Sequence, residues 1–188
     1  MRKIVASLFI SLDGVVEAPE RWQARYFDLE LNDVMEAAAA ESDCILLGRR
    51  TYEELAAFWP RVKGDVPMAD YMNNTPKHVV STTLEKVNWS NASLVIGDLD
   101  EELTALKQQP GRNIQIAGSP TLVRSLLRDG LLDELTLMVH PIVVGGGKRL
   151  FTSGTFGTML ALVESRRLVS GVLCLTYVPA HVAVPQAA

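Results

Sequence analysis

Short apolar runs alternate with helical patterns along nearly the whole chain, and this alternation limits the possible fold more than any single motif does. The runs Lys3–Ile10, Cys44–Leu47, His78–Ser81, Leu94–Ile96, Ile114–Ala117, Glu134–Val139, Met159–Arg167 and Val172–Val178 have the length and composition of strands. Between many of them the period changes to that of a helix. Phe27–Glu41 carries Met35 and the run Ala37–Ala40, which are good helix formers. Thr51–Phe58 has Thr51 and Glu54 at the spacing of a capping box. Asp100–Lys107 puts Leu103 and Leu106 on one face. Pro120–Arg128 is the clearest helix. Ser119 suits the N-cap, Pro120 the first helical position, and Leu122, Val123, Leu126 and Leu127 make one apolar stripe. Gly130 stands where a left-handed C-cap is expected. Alternation of this kind predicts a three-layer α/β fold around a mostly parallel sheet. The last two runs flank Val169-Ser170-Gly171 and predict an antiparallel hairpin at the C-terminal edge.

Composition excludes several function classes. With 188 residues, 48% of them hydrophobic, the chain has enough core for one domain without disulfide staples. Residues 1–179 are read as that domain and 180–188, small and Pro-broken, as a flexible tail. No run approaches the roughly 18 apolar residues that a membrane span needs. The start Met1-Arg2-Lys3 is basic, but the apolar stretch breaks at Ser11-Leu12-Asp13-Gly14, so it reads as a first strand and not as a secretory signal. The net charge of −4, with both signs interspersed, leaves no basic stripe for nucleic acid. Cys44 and Cys174 lie inside apolar runs as buried free thiols, and no His/Cys cluster has zinc spacing. A cytoplasmic protein follows as the expectation.

Two strand–glycine–helix junctions carry the chemistry. In Gly48-Arg49-Arg50-Thr51, which follows Cys44–Leu47, a glycine lets an anion approach the backbone at a positive helix end, and two guanidinium groups suit a phosphate monoester. A capped helix with two solvated arginines is the alternative. In Ala117-Gly118-Ser119-Pro120-Thr121-Leu122, backbone N–H groups and the Ser119 and Thr121 hydroxyls offer a second anion cradle, against a plain strand-to-helix connection. It is neither a Rossmann fingerprint nor a Walker loop. Ser81-Thr82-Thr83 supplies hydroxyls after a third strand, or forms an ordinary Ser/Thr turn.

Other motifs are less committed. Asp13-Gly14 turns the chain after the first strand, ahead of a loop with Pro19 and Trp22 that is placed to cover a crevice at the strand ends. Asp13 contacts substrate or organises that loop. Gly145-Gly146-Gly147-Lys148 lacks the helix start of a phosphate loop and reads as a connector beside the site. His78 and His140 lie in apolar runs and His181 in the tail, and Gly-x-Ser-x-Gly is absent, so hydrolase chemistry has little support. Hydride transfer needs no protein nucleophile, because the cofactor carries the chemistry.

In their order and spacing, these motifs resemble the dihydrofolate-reductase-like superfamily, most closely the reductase domain of the bifunctional riboflavin-biosynthesis deaminase/reductase and its stand-alone bacterial relatives. The likeness is carried by Ser11-Leu12-Asp13-Gly14, Ala18-Pro19 with Trp22, Leu46 through Glu53, Phe58-Trp59-Pro60, Ala117-Gly118-Ser119, Leu131 through Leu135, Pro141 through Gly147, Leu150-Phe151, Ser170-Gly171-Val172 and Tyr177, over about residues 2 to 178. It implies a dihydrofolate-reductase-like fold with NADPH across the carboxyl ends of the sheet. By the same resemblance, Gly48, Arg49 and Thr51 would lie at the cofactor phosphates. Arg49, helped by Arg50, would hold the 2′-phosphate. Ser81 and Thr82 would lie by the adenosine, Gly118, Ser119, Thr121 and Leu122 would cradle the pyrophosphate, and Ala117 beside them would also contact the cofactor. Ala6 and the Asp13–Val16 loop would border nicotinamide and substrate, with Asp13 and Trp22 on the substrate side. Dihydrofolate reductases join two glycines by a cis peptide where this chain has Ala117-Gly118, and carry a carboxylate on the first helix, near which stand Asp28, Glu30 and Asp33. The catalytic residue is left unassigned and no metal is expected. The implied activity is NADPH-dependent reduction of a small pterin- or pyrimidine-like heterocycle by a homodimer that engages neither nucleic acid nor membrane. The alternative is a nucleotide-binding homodimer without turnover.

Overall fold

Strand β1 (Ile4–Ser11) shows how the layers arise. Its side chains alternate between two faces. Ile4, Ala6, Leu8 and Ile10 join one core cluster, while Phe9 packs into another on the opposite side. A strand buried on both faces must lie inside a sheet covered by helices on each side. The computed structural model, which describes residues 1–62, 66–154 and 157–180, has that architecture.

Among the described residues the sheet has eight strands. After β1 come β2 (Ser42–Gly48), β3 (Lys77–Val80), β4 (Ala92–Val95), β5 (Asn113–Ile116), β6 (Glu134–His140), β7 (Leu160–Arg167) and β8 (Leu173–Pro179). They lie in the order β4-β3-β2-β5-β1-β6-β8-β7. The first six are parallel to one another, and β8 pairs antiparallel with both β6 and β7. The expected mostly parallel sheet with an antiparallel C-terminal hairpin is what the structure has.

Among the described residues five α-helices cover it: α1 (Leu29–Ala40), α2 (Arg49–Phe58), α3 (Pro67–Asn74), α4 (Leu99–Gln108) and α5 (Pro120–Arg128). Leu103 and Leu106 of α4 and the Leu122, Val123, Leu126 and Leu127 stripe of α5 pack on one face with Ile114, Ile116 and Leu46. Tyr52 of α2 and Met72 of α3 pack on the other with Ile45, Leu47 and Val79. Leu31 of α1 packs beside Met138 and Cys174, on the face that carries Phe9. Both cysteines are free and buried, and burial pushes the Cys44 thiol up to about 11. Among the described residues no helix is long and apolar enough to cross a membrane. Residues 181–188, read as tail, lie outside the described residues.

Element ends differ from expectation where local chemistry decides them. Helix α2 begins at Arg49, not at Thr51, because Gly48 is extended (φ −78°, ψ 157°) and hands strand to helix without an intervening turn. Gly48 is the N-cap and makes no side-chain capping bond, so the Thr51/Glu54 capping box does not form at the helix start. Helix α5 does begin at Pro120, with Ser119 Oγ accepting from the Leu122 N–H at 3.4 Å. Helix α3 was not among the expected helices.

Candidate functional site

All six parallel strands present their carboxyl ends on one edge, and the register there leaves a notch. Strand β5 is short: its last residue, Ile116, pairs with Ala6 on one side and Leu46 on the other. Beyond that level β1 continues to Ser11, and β2 to Gly48. The gap between β1 and β2 is floored by Ala117-Gly118-Ser119. It lies where the chain, having run outward through β3 and β4, returns to insert β5 beside β1. In open α/β sheets ligands bind in such a crevice, beyond the strand ends where strand order reverses.

The two strand–glycine–helix junctions touch across this notch. A Cβ added to Gly48 would fall 2.5 Å from Ser119 Oγ and 3.2 Å from Ser119 Cβ. A Cβ added to Gly118 would fall 3.0 Å from Thr51 Oγ1 and 3.2 Å from its Cγ2, at a φ of +127° that side chains disfavour. Glycine at both positions is thus a packing requirement, and it brings the N-termini of α2 and α5 side by side. Aligned peptide dipoles make each end positive. The Gly118–Ser119 peptide is cis, one bond later than the Ala117–Gly118 position suggested by the resemblance.

Around this floor the named side chains are distributed as follows. Arg49 is half-exposed, and its Nη1 donates to both carboxylate oxygens of Glu53, at 3.1 and 3.3 Å. Arg50 is exposed, and its charge helps, after Lys148, to hold the Glu17 carboxyl below its ordinary range. The Thr121 hydroxyl accepts from Arg124 Nη2 at 3.2 Å, and Leu122 is buried, its N–H spent on the cap. Ala6 is buried level with the end of β5, beside the junction. Ser81 accepts from the N–H groups of Thr83 and Leu84 at 3.1 and 3.0 Å, the ordinary Ser/Thr turn, and Thr82 is exposed next to it.

Asp13 binds loop to loop. One carboxylate oxygen accepts from Ser11 Oγ (2.7 Å) and the Val144 N–H (3.0 Å), and the other from the Gly145 N–H (2.9 Å) and Arg149 Nη2 (3.2 Å). The hydroxyl and amide donors hold its carboxyl well below the usual carboxylate range. Glu17 acts similarly: it accepts from the Lys148 N–H at 3.1 Å and pairs with its Nζ at 3.2 Å. Backbone bonds from Leu12 to Ile142, Val16 to Lys148 and Leu150 to Gly14 complete the clamp. The Gly145–Gly147 segment is therefore a pinned rim of the notch. Sequence reasoning missed Glu17 and Arg149 in this role; both are exposed charges in loops more than a hundred residues apart.

Trp22 is buried, and its Nε1 donates to Glu17 O at 3.1 Å. Its ring stands edge-on to His140 at 5.2 Å, and Phe9 and Tyr26 complete a cage around that imidazole at 5.6 Å each. Within the cage His140 is fully buried, with Nδ1 2.8 Å from Met138 O, and burial pushes its pKa down. The cage seats the segment after β1 on the end of β6. Among the first-helix carboxylates, Asp28 caps α1 by accepting from the Leu31 N–H at 2.9 Å, Glu30 accepts from the Val169 N–H at 2.7 Å, and Asp33 is exposed. Among the described residues no group of His, Cys, Asp and Glu has the arrangement of a metal site.

The fold is dihydrofolate-reductase-like. The chain belongs to the RibD C-terminal domain family, whose model matches residues 2–174. It is 28% identical over 183 residues to the uncharacterized protein YyaP of Bacillus subtilis strain 168, covering 94% of each chain. Among solved structures it is similar to a protein assigned to riboflavin biosynthesis from Shewanella sp. PV-4, with a TM-score of 0.78 and 21% identity over 95% of this chain and 99% of that one. It is also similar to the dihydrofolate reductase of Enterococcus faecalis complexed with NADP(H), with a TM-score of 0.58 and 15% identity over 94% and 96%.

Proposed function

We propose that this chain is a cytoplasmic NADPH-dependent reductase that passes hydride from nicotinamide C4 to a C=N or C=O carbon of a small pterin- or pyrimidine-like heterocycle. One observation carries the reading: Gly48 and Gly118 are packed so tightly against Ser119 and Thr51 that two helix N-termini converge on a notch at the carboxyl ends of the sheet. A dinucleotide has anionic groups for both. In this reading Gly48, Thr51, Ala117, Gly118, Ser119, Thr121 and Leu122 hold the pyrophosphate. Arg49 and Arg50 hold the 2′-phosphate, Ser81 and Thr82 border the adenosine, and Ala6 borders the nicotinamide. Membership in the RibD C-terminal domain family and the likeness to an NADP(H)-bound dihydrofolate reductase support it.

When bound, the cofactor supplies the hydride; the chain's own part is to bind, orient and exclude water. Arg49 must leave Glu53 to reach a 2′-phosphate, an exchange of one exposed pair for a doubly charged partner. Trp22 and the Asp13 loop, pinned to Gly145 and Arg149, wall the substrate side. Arg49→Ala is expected to weaken NADPH by about 1–3 kcal/mol and leave NADH nearly unchanged. Equal loss for both cofactors would remove Arg49 from the 2′-phosphate.

A homodimer belongs to the same reading. Leu162 and Leu173 of the closing hairpin are 53% and 40% exposed, an apolar surface suited to a second copy. One observation favours the rival reading, nucleotide binding without turnover: Asp13, Asp28 and Glu30 are all engaged by backbone donors. Binding of NADPH with no oxidation across a broad panel of heterocycles would decide for it.

A further inference from the structure

His140 is fully buried, yet only one of its ring nitrogens has a partner. Nδ1 lies 2.8 Å from Met138 O, and a carbonyl only accepts, so Nδ1 carries the proton. Nε2 is then a bare acceptor, buried from water with no partner. Protonation puts a charge and a second N–H in that position. The Met138 and Ile10 carbonyls favour the charged form, but burial outweighs them. The ionisable groups on the surrounding elements are committed elsewhere. Asp13 and Glu17 clamp the rim, and Asp28 and Glu30 accept from the Leu31 and Val169 amides. Glu20 pairs with Arg21 at 3.8 Å, Arg25 is exposed, and burial pushes the Cys174 thiol up. Among the described residues no carboxylate is bonded to the imidazole.

The walls of the cage differ in how they are held. Phe9 belongs to β1 and is fixed by the sheet. Trp22 and Tyr26 stand on a segment built from two short 3₁₀ turns, Pro19–Arg21 and Ala24–Tyr26. Its backbone bonds close on itself: Arg21 donates to Ala18, Trp22 and Gln23 to Pro19, Tyr26 to Gln23 and Phe27 to Ala24. The Trp22 indole donates to Glu17 O just upstream. Among the described residues one hydrogen bond ties residues 18–27 to the body, from Tyr26 Oη to Pro141 O at 3.2 Å, and it is exposed. Otherwise the segment is held by packing, and two of its rings face the imidazole. Gln23 Oε1 is also buried without a partner, a cost of seating that release relieves.

We propose that His140 is a positioning residue whose neutral imidazole seats residues 18–27 on the end of β6, and that its protonation releases the segment. The seated form binds the proton less readily than the released form. The seat is therefore fully present above the ordinary imidazole value and weakens as pH falls below it. That the release opens the substrate side of the notch rests on the reductase reading; the release itself does not.

The test is hydrogen exchange of the whole chain, read by NMR between about pH 8 and pH 5, for the wild type, His140→Gln and His140→Phe. Thermal melts report whether each variant is folded. Protection is read at the Trp22 indole and at the Trp22 and Gln23 amides, corrected for the intrinsic pH dependence of exchange, with the β1–β6 ladder as reference. Wild-type protection of the segment is expected to be level above about pH 6.5 and to fall below it by up to about tenfold per pH unit, while the ladder holds. His140→Gln keeps a donor for Met138 O and takes up no proton, so its profile is expected to be flat. His140→Phe keeps a ring in the cage and is expected to be flat as well, which serves should the Gln variant not fold. His78 and His181 remain in all three proteins, so a fall that persists in a folded variant overturns the proposal, as does a level wild-type profile. The assay contains no cofactor, so failure of NADPH binding removes the reductase reading and leaves the release standing.

Discussion

Gly48→Ala isolates the contact on which the notch depends. The backbone at Gly48 (φ −78°, ψ 157°) suits any residue, so the substitution adds no conformational strain. Its whole effect comes from the new methyl, 2.5 Å from Ser119 Oγ and 3.2 Å from Ser119 Cβ. The hydroxyl must swing away and give up the Leu122 N–H, which costs about 1 kcal/mol as a lost N-cap. The closer Cβ pair adds overpacking of about 1 kcal/mol or somewhat more. A destabilisation of about 2 kcal/mol follows, or roughly 4–8 °C in Tm for a chain of this size. Urea denaturation followed by circular dichroism measures it. Ser119→Gly removes both clashing atoms while costing a few tenths of a kcal/mol as a cap. In that background Gly48→Ala is expected to be nearly neutral. A full penalty in both backgrounds, or none in either, would refute the claim that the two junctions pack against each other.

Other consequences are testable singly. Lys77 is buried, donates to the carbonyls of Asn73, Thr75 and Ser90, and sits over the Trp89 ring at 4.4 Å. Burial pushes its pKa down to about 8, against about 10.4 unfolded. Between those values the unfolded chain binds a proton that the folded chain does not, so stability rises with pH through that window; Lys77→Met should flatten the slope relative to wild type. Asp13→Asn should raise hydrogen exchange at the Val144 and Gly145 amides, with amides in the β1–β6 ladder unmoved as the control. Because the Asp13 carboxyl is held low, its contribution to stability is present above the ordinary carboxylate range and lost only as pH falls below it; loss of the clamp near neutral pH would contradict that bonding. Leu162→Arg should shift sedimentation from dimer to monomer while leaving the melt nearly unchanged, and a wild type that sediments as a monomer removes the dimer.

The central sheet was legible because burial on both faces writes near-continuous apolar runs, as in β1 and β2, while the exposed edge strand β7 was marked by its hairpin partner β8 and the turn between them. The fifth helix was legible for a different reason: Ser119, Pro120 and the leucine stripe are independent signals that agree. Boundaries at the junctions were not. Gly48 belongs to strand and helix at once, so Thr51 looked like a cap although its side chain faces Gly118. Helix α3 escaped because Pro67–Asn74 spans only about two turns, although Met68, Ala69, Tyr71 and Met72 recur at helical spacing. The notch and its rim were least visible. The notch exists because β5 ends early relative to β1, a matter of register, and the rim exists because Asp13 and Glu17 accept from amides more than a hundred residues away. The His140 cage draws its rings from positions 9, 22 and 26, and nothing local marks them as partners.

Titration of the purified protein with NADPH and with NADH, followed by nicotinamide fluorescence, tests the cofactor site most directly. Saturable NADPH binding with much weaker NADH binding is expected if Arg49 and Arg50, on the first turn of α2, hold the 2′-phosphate as proposed. Binding of neither would contradict the reductase reading and leave the notch without a dinucleotide.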